Sequence, residues 1–199
     1  MTDVPTSEMV SSMQLTPRGK FLLLVGVFLM PVVAAYLAYA GWRPASHSNY
    51  GDLLKVTPLR QTAGSTPDGR PYDLDALRGK WVMVHVGSTH CDAACAWQLY
   101  LMRQTRIAQG KEQDRIERLW VVTDSGTPDA KLLQEHPDLH VWRPTDATFV
   151  TQFPAAKNRA GHIYLVDPLG NLMLRFPVQA DFERMMKDLK LLLKASQIG

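Results

Sequence analysis

The chain has 199 residues, 46% of them hydrophobic, which is enough for one well-buried domain with length to spare. Its formal net charge is only +3, from 22 Lys and Arg against 19 Asp and Glu. No basic block carries interleaved aromatics, which argues against a nucleic-acid partner.

In chain order, residues 1–20 read as a short cytoplasmic tail. Phe21 to Trp42, FLLLVGVFLMPVVAAYLAYAGW, then contains no charged residue. As a helix it would span about 33 Å against a hydrocarbon core of roughly 30 Å, and it exceeds the apolar core of a signal peptide. Pro31 lies mid-run, where a kink is expected and a membrane helix tolerates it. Tyr36, Tyr39 and Trp42 gather toward the far end, as aromatics do at a membrane interface. Arg18 and Lys20 precede the run and Arg43 alone follows it closely. The positive-inside rule therefore places the N-terminus in the cytoplasm and the main domain outside it, in a periplasm for a Gram-negative source. Disulfides form there.

Residues 43–56 read as a polar linker, and 57–199 as the folded domain. Asp68-Gly69 marks a tight turn. Trp81 to Val86, WVMVHV, is a β-rich apolar run of strand length. A helix is expected from Ala93 to about Gln109, with Gly110 as its stop. Arg118 to Thr123 is a second buried strand. Pro128 to Glu135 is a short helix that Thr127 would start, and Leu139 to Arg143 a third strand. HIYLVD and LMLRF form a hairpin across PLGN. Phe182, Met185, Met186, Leu189, Leu192 and Leu193 then make one apolar helical stripe, with its methionines filling core. The alternation predicts an α/β fold, a mostly parallel sheet made mixed by the late hairpin, with flanking helices.

Cys91 and Cys95, in GSTHCDAAC, are the only cysteines. They fall where the first long strand passes into its helix, the end of an open α/β sheet at which ligands gather. A helix N-terminus favours thiolates, and a spacing of four puts both sulfurs on one face of the first turn. Such a pair can close a disulfide, clasp one soft metal ion, or pack as two small buried residues, and position does not choose among these. A metal would want a further ligand from the six histidines: His47 in the linker, His85 inside a strand and expected to be a satisfied core residue, His90 beside Cys91, His136, His140, and His162 at the start of the hairpin.

VGSTHCDAAC resembles the cysteine loop of the SCO/SenC family, membrane-anchored thioredoxin-like proteins of cytochrome c oxidase assembly. LWVVTDSGTPD is similar to the strand and loop that follow that family's cysteine helix. AGHIYLVDPLGNL resembles its histidine segment. The likeness covers about residues 60–195, and the anchor and linker also fit.

The resemblance implies a thioredoxin-like mixed sheet behind one transmembrane helix. It also implies a copper site, for Cu(I) or Cu(II), formed by Cys91, Cys95 and His162. The implied role is assembly of the copper centre of oxidase subunit II, from a bacterial inner membrane with the main domain periplasmic. The alternatives are a thiol–disulfide oxidoreductase using Cys91 and Cys95 on oxidase or other exported cysteines, and a non-catalytic membrane partner that kept the fold. Zinc is a further option for two cysteines and a histidine. Three positions depart from the family pattern: Ser88 replaces Tyr, and Asp92 and Ala96 replace prolines. Asp92 sets a negative charge beside Cys91, which should oppose thiolate formation and favour a cation.

Overall fold

The computed structural model describes residues 16–41, 49–60, 62–155, 158–196 and 198. Residues 1–15 of the expected tail and 43–48 of the expected linker, with Trp42, Arg43 and His47, lie outside them. The chain divides into two units, Met1–His47 and Ser48–Gly199.

In the first unit, Pro17–Gly41 is one helix, α1, which runs unbroken through Pro31. It starts four residues before the apolar run and so takes in Arg18 and Lys20. The stretch Pro17–Ala40 is long and apolar enough to cross a membrane, and none of its most apolar window is buried. A helix apolar on every side suits lipid rather than water.

In the second unit, β1 (Asp52–Pro58), β2 (Gly64–Ser65), β3 (Trp81–Gly87), β4 (Ile116–Val122), β5 (Leu139–Pro144), β6 (Ile163–Val166) and β7 (Asn171–Arg175) form one sheet. Its order is β1-β7-β6-β3-β4-β5-β2. β3, β4 and β5 are parallel, while β6 runs antiparallel to β3 and β7 antiparallel to β6. The sheet is mixed for the reason expected: the late hairpin returns on itself at Asp167–Gly170, with Gly170 at φ 87° and Asp167 Oδ1 accepting from the amides of Leu169 and Asn171.

The helices are α2 (Ala93–Ile107), α3 (Ala130–Glu135) and α4 (Phe182–Ala195). α2 stops two residues early and passes into a 3-10 turn at Gly110, which holds φ 59°. α3 is capped by Asp129 rather than Thr127, because the Asp129 carboxylate reaches the amides of Lys131 and Leu132.

Alternate strand residues face opposite sides. Met83, Trp120, Leu165 and Leu174 pack with Leu99 and Met102 of α2 and Met185 and Leu189 of α4. Val84, Val86, Val121 and Tyr164 face the other way, with Trp142, Phe149 and Phe153.

Two strands were missed by sequence. β1 crosses residues assigned to the linker; it is an edge strand, largely exposed, with an irregular register against β7. β2 is two residues long and lies on Trp142, whose ring would stand 2.2 Å from a Cβ at Gly64.

Candidate redox and metal site

β3 delivers the cysteine loop. Its last residue, Gly87, is crowded from below: a Cβ there would fall 2.8 Å from His85 Nε2. The chain then turns, and Asp92 caps α2, its Oδ1 accepting from the Cys95 amide at 2.9 Å. Cys91 and Cys95 are joined as a disulfide with their Cα atoms 5.1 Å apart. Both are half-buried and pack on the α-helical face of the sheet. Of the three states the spacing allowed, the structure holds the disulfide.

A carboxylate outside the motif braces this loop. Asp124, just beyond β4, accepts from the Ser88 hydroxyl, from the Thr89 hydroxyl at 2.6 Å and amide at 3.0 Å, and from the Gly126 amide at 3.1 Å. Bonds from Ser88 and then Thr89 hold its pKa down to about 2. Ser88 Oγ also accepts from the His90 amide at 3.0 Å. Arg143 donates to the carbonyls of Asp124 and Gly126. Ser88 and Asp92 thus have structural work of their own, as brace and cap.

Cys91, rather than Cys95, lines an open groove of about 620 Å³ whose walls include Thr89, His90, Gly126, Lys131 and Glu135. A smaller apolar cavity of about 60 Å³, walled by Leu77, Phe149 and Phe153, belongs to the opposite face of the sheet.

His162 comes to this end of the sheet from β6. His85 pairs with Ile163, so His162 stands beside the C-terminal end of β3, from which the cysteine loop springs. The 3-10 turn Arg159–Gly161 leads into it, held by Asn158 Oδ1 accepting from the Gly161 amide at 3.1 Å. His162 Nδ1 is 2.8 Å from the Phe176 carbonyl, which can only accept. The neutral ring therefore carries its proton on Nδ1 and its lone pair on Nε2, the tautomer of an Nε2 metal ligand. Gln98, one turn beyond Cys95 on α2, donates from Nε2 to the Gly161 carbonyl at 2.8 Å. The helix bearing the cysteines and the turn bearing the histidine are tied directly.

Two sulfurs and an imidazole suit copper chemically, but only once the disulfide is opened. In this oxidised form no group of three or more His, Cys, Asp or Glu among the described residues is arranged to hold a metal.

Other histidines are engaged elsewhere. His140 bonds the Tyr72 hydroxyl and Glu117. His136 is buried with Nδ1 facing Arg118 Nη1 at 3.4 Å. His90 is exposed on the groove. His85 is core, as expected, but it is not satisfied: it is fully buried and neither ring nitrogen has a partner. Burial pushes its pKa down to about 4, against a weaker upward pull from Asp92. Asp124 and Gln98 were not singled out by sequence.

A mixed sheet with a cysteine pair at the strand-to-helix turn defines a thioredoxin-like protein. Residues 81–196 match the family described as transmembrane-like, thioredoxin-like, C-terminal domain, and the chain belongs to it. Among curated proteins none matches in sequence.

Solved structures with the same fold include yeast Sco1 with copper bound, at TM-score 0.62 and 15% identity, covering 72% of this chain and 96% of that one. Apo Sco1 from Thermus thermophilus gives 0.56 and 20%, covering 76% and 98%. BsSco, described as a Sco-family cytochrome c oxidase assembly protein with a disulfide switch, gives 0.55 and 15%, covering 75% and 100%. The fold implied by the cysteine and histidine segments is the fold these proteins share.

Proposed function

We propose that this protein is a membrane-anchored copper-binding assembly factor for cytochrome c oxidase, serving the copper centre of subunit II. The observation that carries the reading is the junction of two loops: the cysteine helix and the His162 turn meet at one end of the sheet, tied through Gln98 and Gly161, with Nε2 of His162 left as the free donor. Support comes from the shared fold with yeast Sco1, solved with copper, and with BsSco. Residues 1–20 lie in the cytoplasm, residues 21–42 cross the inner membrane, and the folded domain, which takes in β1, lies in the periplasm.

In this reading the disulfide is the resting form. An external dithiol reductant opens it, delivering two electrons and two protons to the sulfurs of Cys91 and Cys95. Copper is the cargo: thiolates suit copper(I), and an imidazole extends the site to copper(II). Cys91 and Cys95 release their protons as they take it up, and His162 offers the lone pair on Nε2. Three ligands leave the ion open to a client's donors.

The test is anaerobic copper(I) titration of the full chain in detergent. The reduced protein should bind one copper and the disulfide form none. Cys91→Ser and Cys95→Ser should abolish tight binding, and His162→Ala should weaken it. Unchanged affinity in His162→Ala overturns the three-ligand site.

One observation favours a second reading, thiol–disulfide exchange with an exported client. Cys91 lines the open groove and Cys95 does not, which favours Cys91 as the sulfur that meets a client. Cys95→Ser should then trap a client as a mixed disulfide at Cys91, and His162→Ala should leave that trapping intact.

A further inference from the structure

Gln98 is a buried polar residue in an otherwise apolar stretch of α2, between the half-buried Cys95 and the core residue Leu99. Only half of its amide is used. Nε2 donates to the Gly161 carbonyl at 2.8 Å, while Oε1 is buried without a partner. A leucine or methionine here would remove that orphaned acceptor, but it would also take away the donor of the buried Gly161 carbonyl.

Its bond has one particular effect. Gly161 immediately precedes His162, and Gln98 follows Cys95 by three residues, so a single bond fixes the histidine turn against the cysteine helix. The pairing of β6 with β3 brings His162 to this end of the sheet, and local bonds hold its turn and ring. Asn158 holds the turn from within, and the Phe176 carbonyl holds the ring. Gly161 is itself packed tightly, since a Cβ there would meet Asn158 Nδ2 at 2.9 Å and Val178 at 3.1 Å. The turn is thus tightly packed, and beyond the β3–β6 pairing the bond from Gln98 is the hydrogen bond that ties it to the helix bearing the cysteines.

We infer that Gln98 is a positioning residue of the metal site: through the Gly161 carbonyl it holds His162 within reach of the reduced Cys91–Cys95 pair. The inference rests on the copper reading above. A residue that aims a ligand from the next layer typically changes metal affinity by 10–100-fold.

The experiment uses the full chain in detergent, reduced anaerobically, in wild type, Gln98→Met, His162→Ala and the double variant. Copper(I) affinity is read by competition with a chromophoric chelator, the copper(II) form by electron paramagnetic resonance, and metal-free stability by thermal unfolding. Gln98→Met should lower affinity about tenfold or more and shift the copper(II) spectrum toward that of His162→Ala. The double variant should lose no more than His162→Ala alone, and the metal-free melting temperature should stay close to wild type, because losing the orphaned Oε1 offsets losing the bond to the Gly161 carbonyl.

Wild-type affinity in Gln98→Met, with His162→Ala impaired, overturns the positioning role and leaves the copper site standing. An equal loss from Gln98→Met in the His162→Ala background also overturns it, because the effect would not pass through His162. No copper binding by reduced wild type sinks the copper reading itself, whereas full binding by His162→Ala overturns the three-ligand site and this inference with it. Gln98→Leu is the second variant; if neither it nor Gln98→Met folds, the role is structural and the inference fails.

Discussion

The two loops that meet at the site are held by different chemistry. The cysteine loop hangs on carboxylates: Asp124 gathers Ser88, Thr89 and Gly126, and Asp92 caps the helix at Cys95. The histidine turn uses no carboxylate among these supports. It is held by the side-chain carbonyl of Asn158, the amide of Gln98 and the backbone carbonyl of Phe176. Carboxylates titrate and place charge near the sulfurs, whereas amides and carbonyls do neither. The cysteine side is therefore the one whose firmness and potential respond to acid and salt. The histidine side orients its donor with uncharged groups alone.

The sharpest way to break this contrast is to remove Asp124. Asp124→Ala strips an acceptor from two hydroxyls and two amides, and should cost about 2–3 kcal/mol in urea unfolding at pH 7. The pH signature follows from its depressed pKa. Asp124 stabilises the fold above its ordinary value of 3.8, and that contribution is lost as pH falls through about 2. Asp124→Asn should flatten the stability curve over that window, and an unchanged slope would mean the brace is not electrostatic.

His85, sealed beneath the same loop, gives the next effect. Its pKa is about 4 when folded and 6.5 when free, so the unfolded chain takes up a proton that the folded one refuses. Stability is full above pH 6.5 and falls toward pH 4, by about 2 kcal/mol at pH 5. His85→Phe should remove that slope, and stability measured at pH 5 and pH 7.5 checks it.

Much of this architecture could be read from the chain. β3, β4 and the β6–β7 hairpin are dense apolar runs, and α4 shows one clean stripe, so pattern alone located them. β1 and β2 escaped because edge strands bury little, and because their partners are remote: Asp52 pairs with Arg175 and Gly64 with Pro144. At the site, the cysteines were visible but their bond was not, since a four-residue spacing serves a disulfide or a metal equally well. His162 was distinguished from the other histidines by resemblance. Topology then put it beside β3, which no local pattern could do. Asp124 and Gln98 act across 36 and 63 residues, and a bond of that span leaves no local trace. The unpaired state of His85 belongs to its surroundings rather than to its own stretch of chain.

The histidine turn should answer mutation differently. Asn158→Ala removes one bond to the Gly161 amide and should cost about 1 kcal/mol. No carboxylate is involved, so the loss should be the same at pH 4 and pH 7. A loss that grows in acid would show that the turn depends on charge after all.

The smallest effect tests the cysteine side where it touches chemistry. Asp92 caps α2 through the Cys95 amide and sets its charge beside Cys91. Asn caps a helix about as well as Asp, so Asp92→Asn removes the charge and keeps the cap. A thiolate at Cys91 is then opposed less, and the reduced form gains relative to the disulfide. A single charge at a helix terminus is worth about 0.3–1 kcal/mol. For a two-electron couple that raises the midpoint potential by about 5–20 mV. Redox titration at low salt should show the rise, and high salt should shrink it, because the charge is screened. A fall in potential would mean that Asp92 stabilises the reduced pair, as it would if its carboxylate served chiefly to attract a cation to the open dithiol.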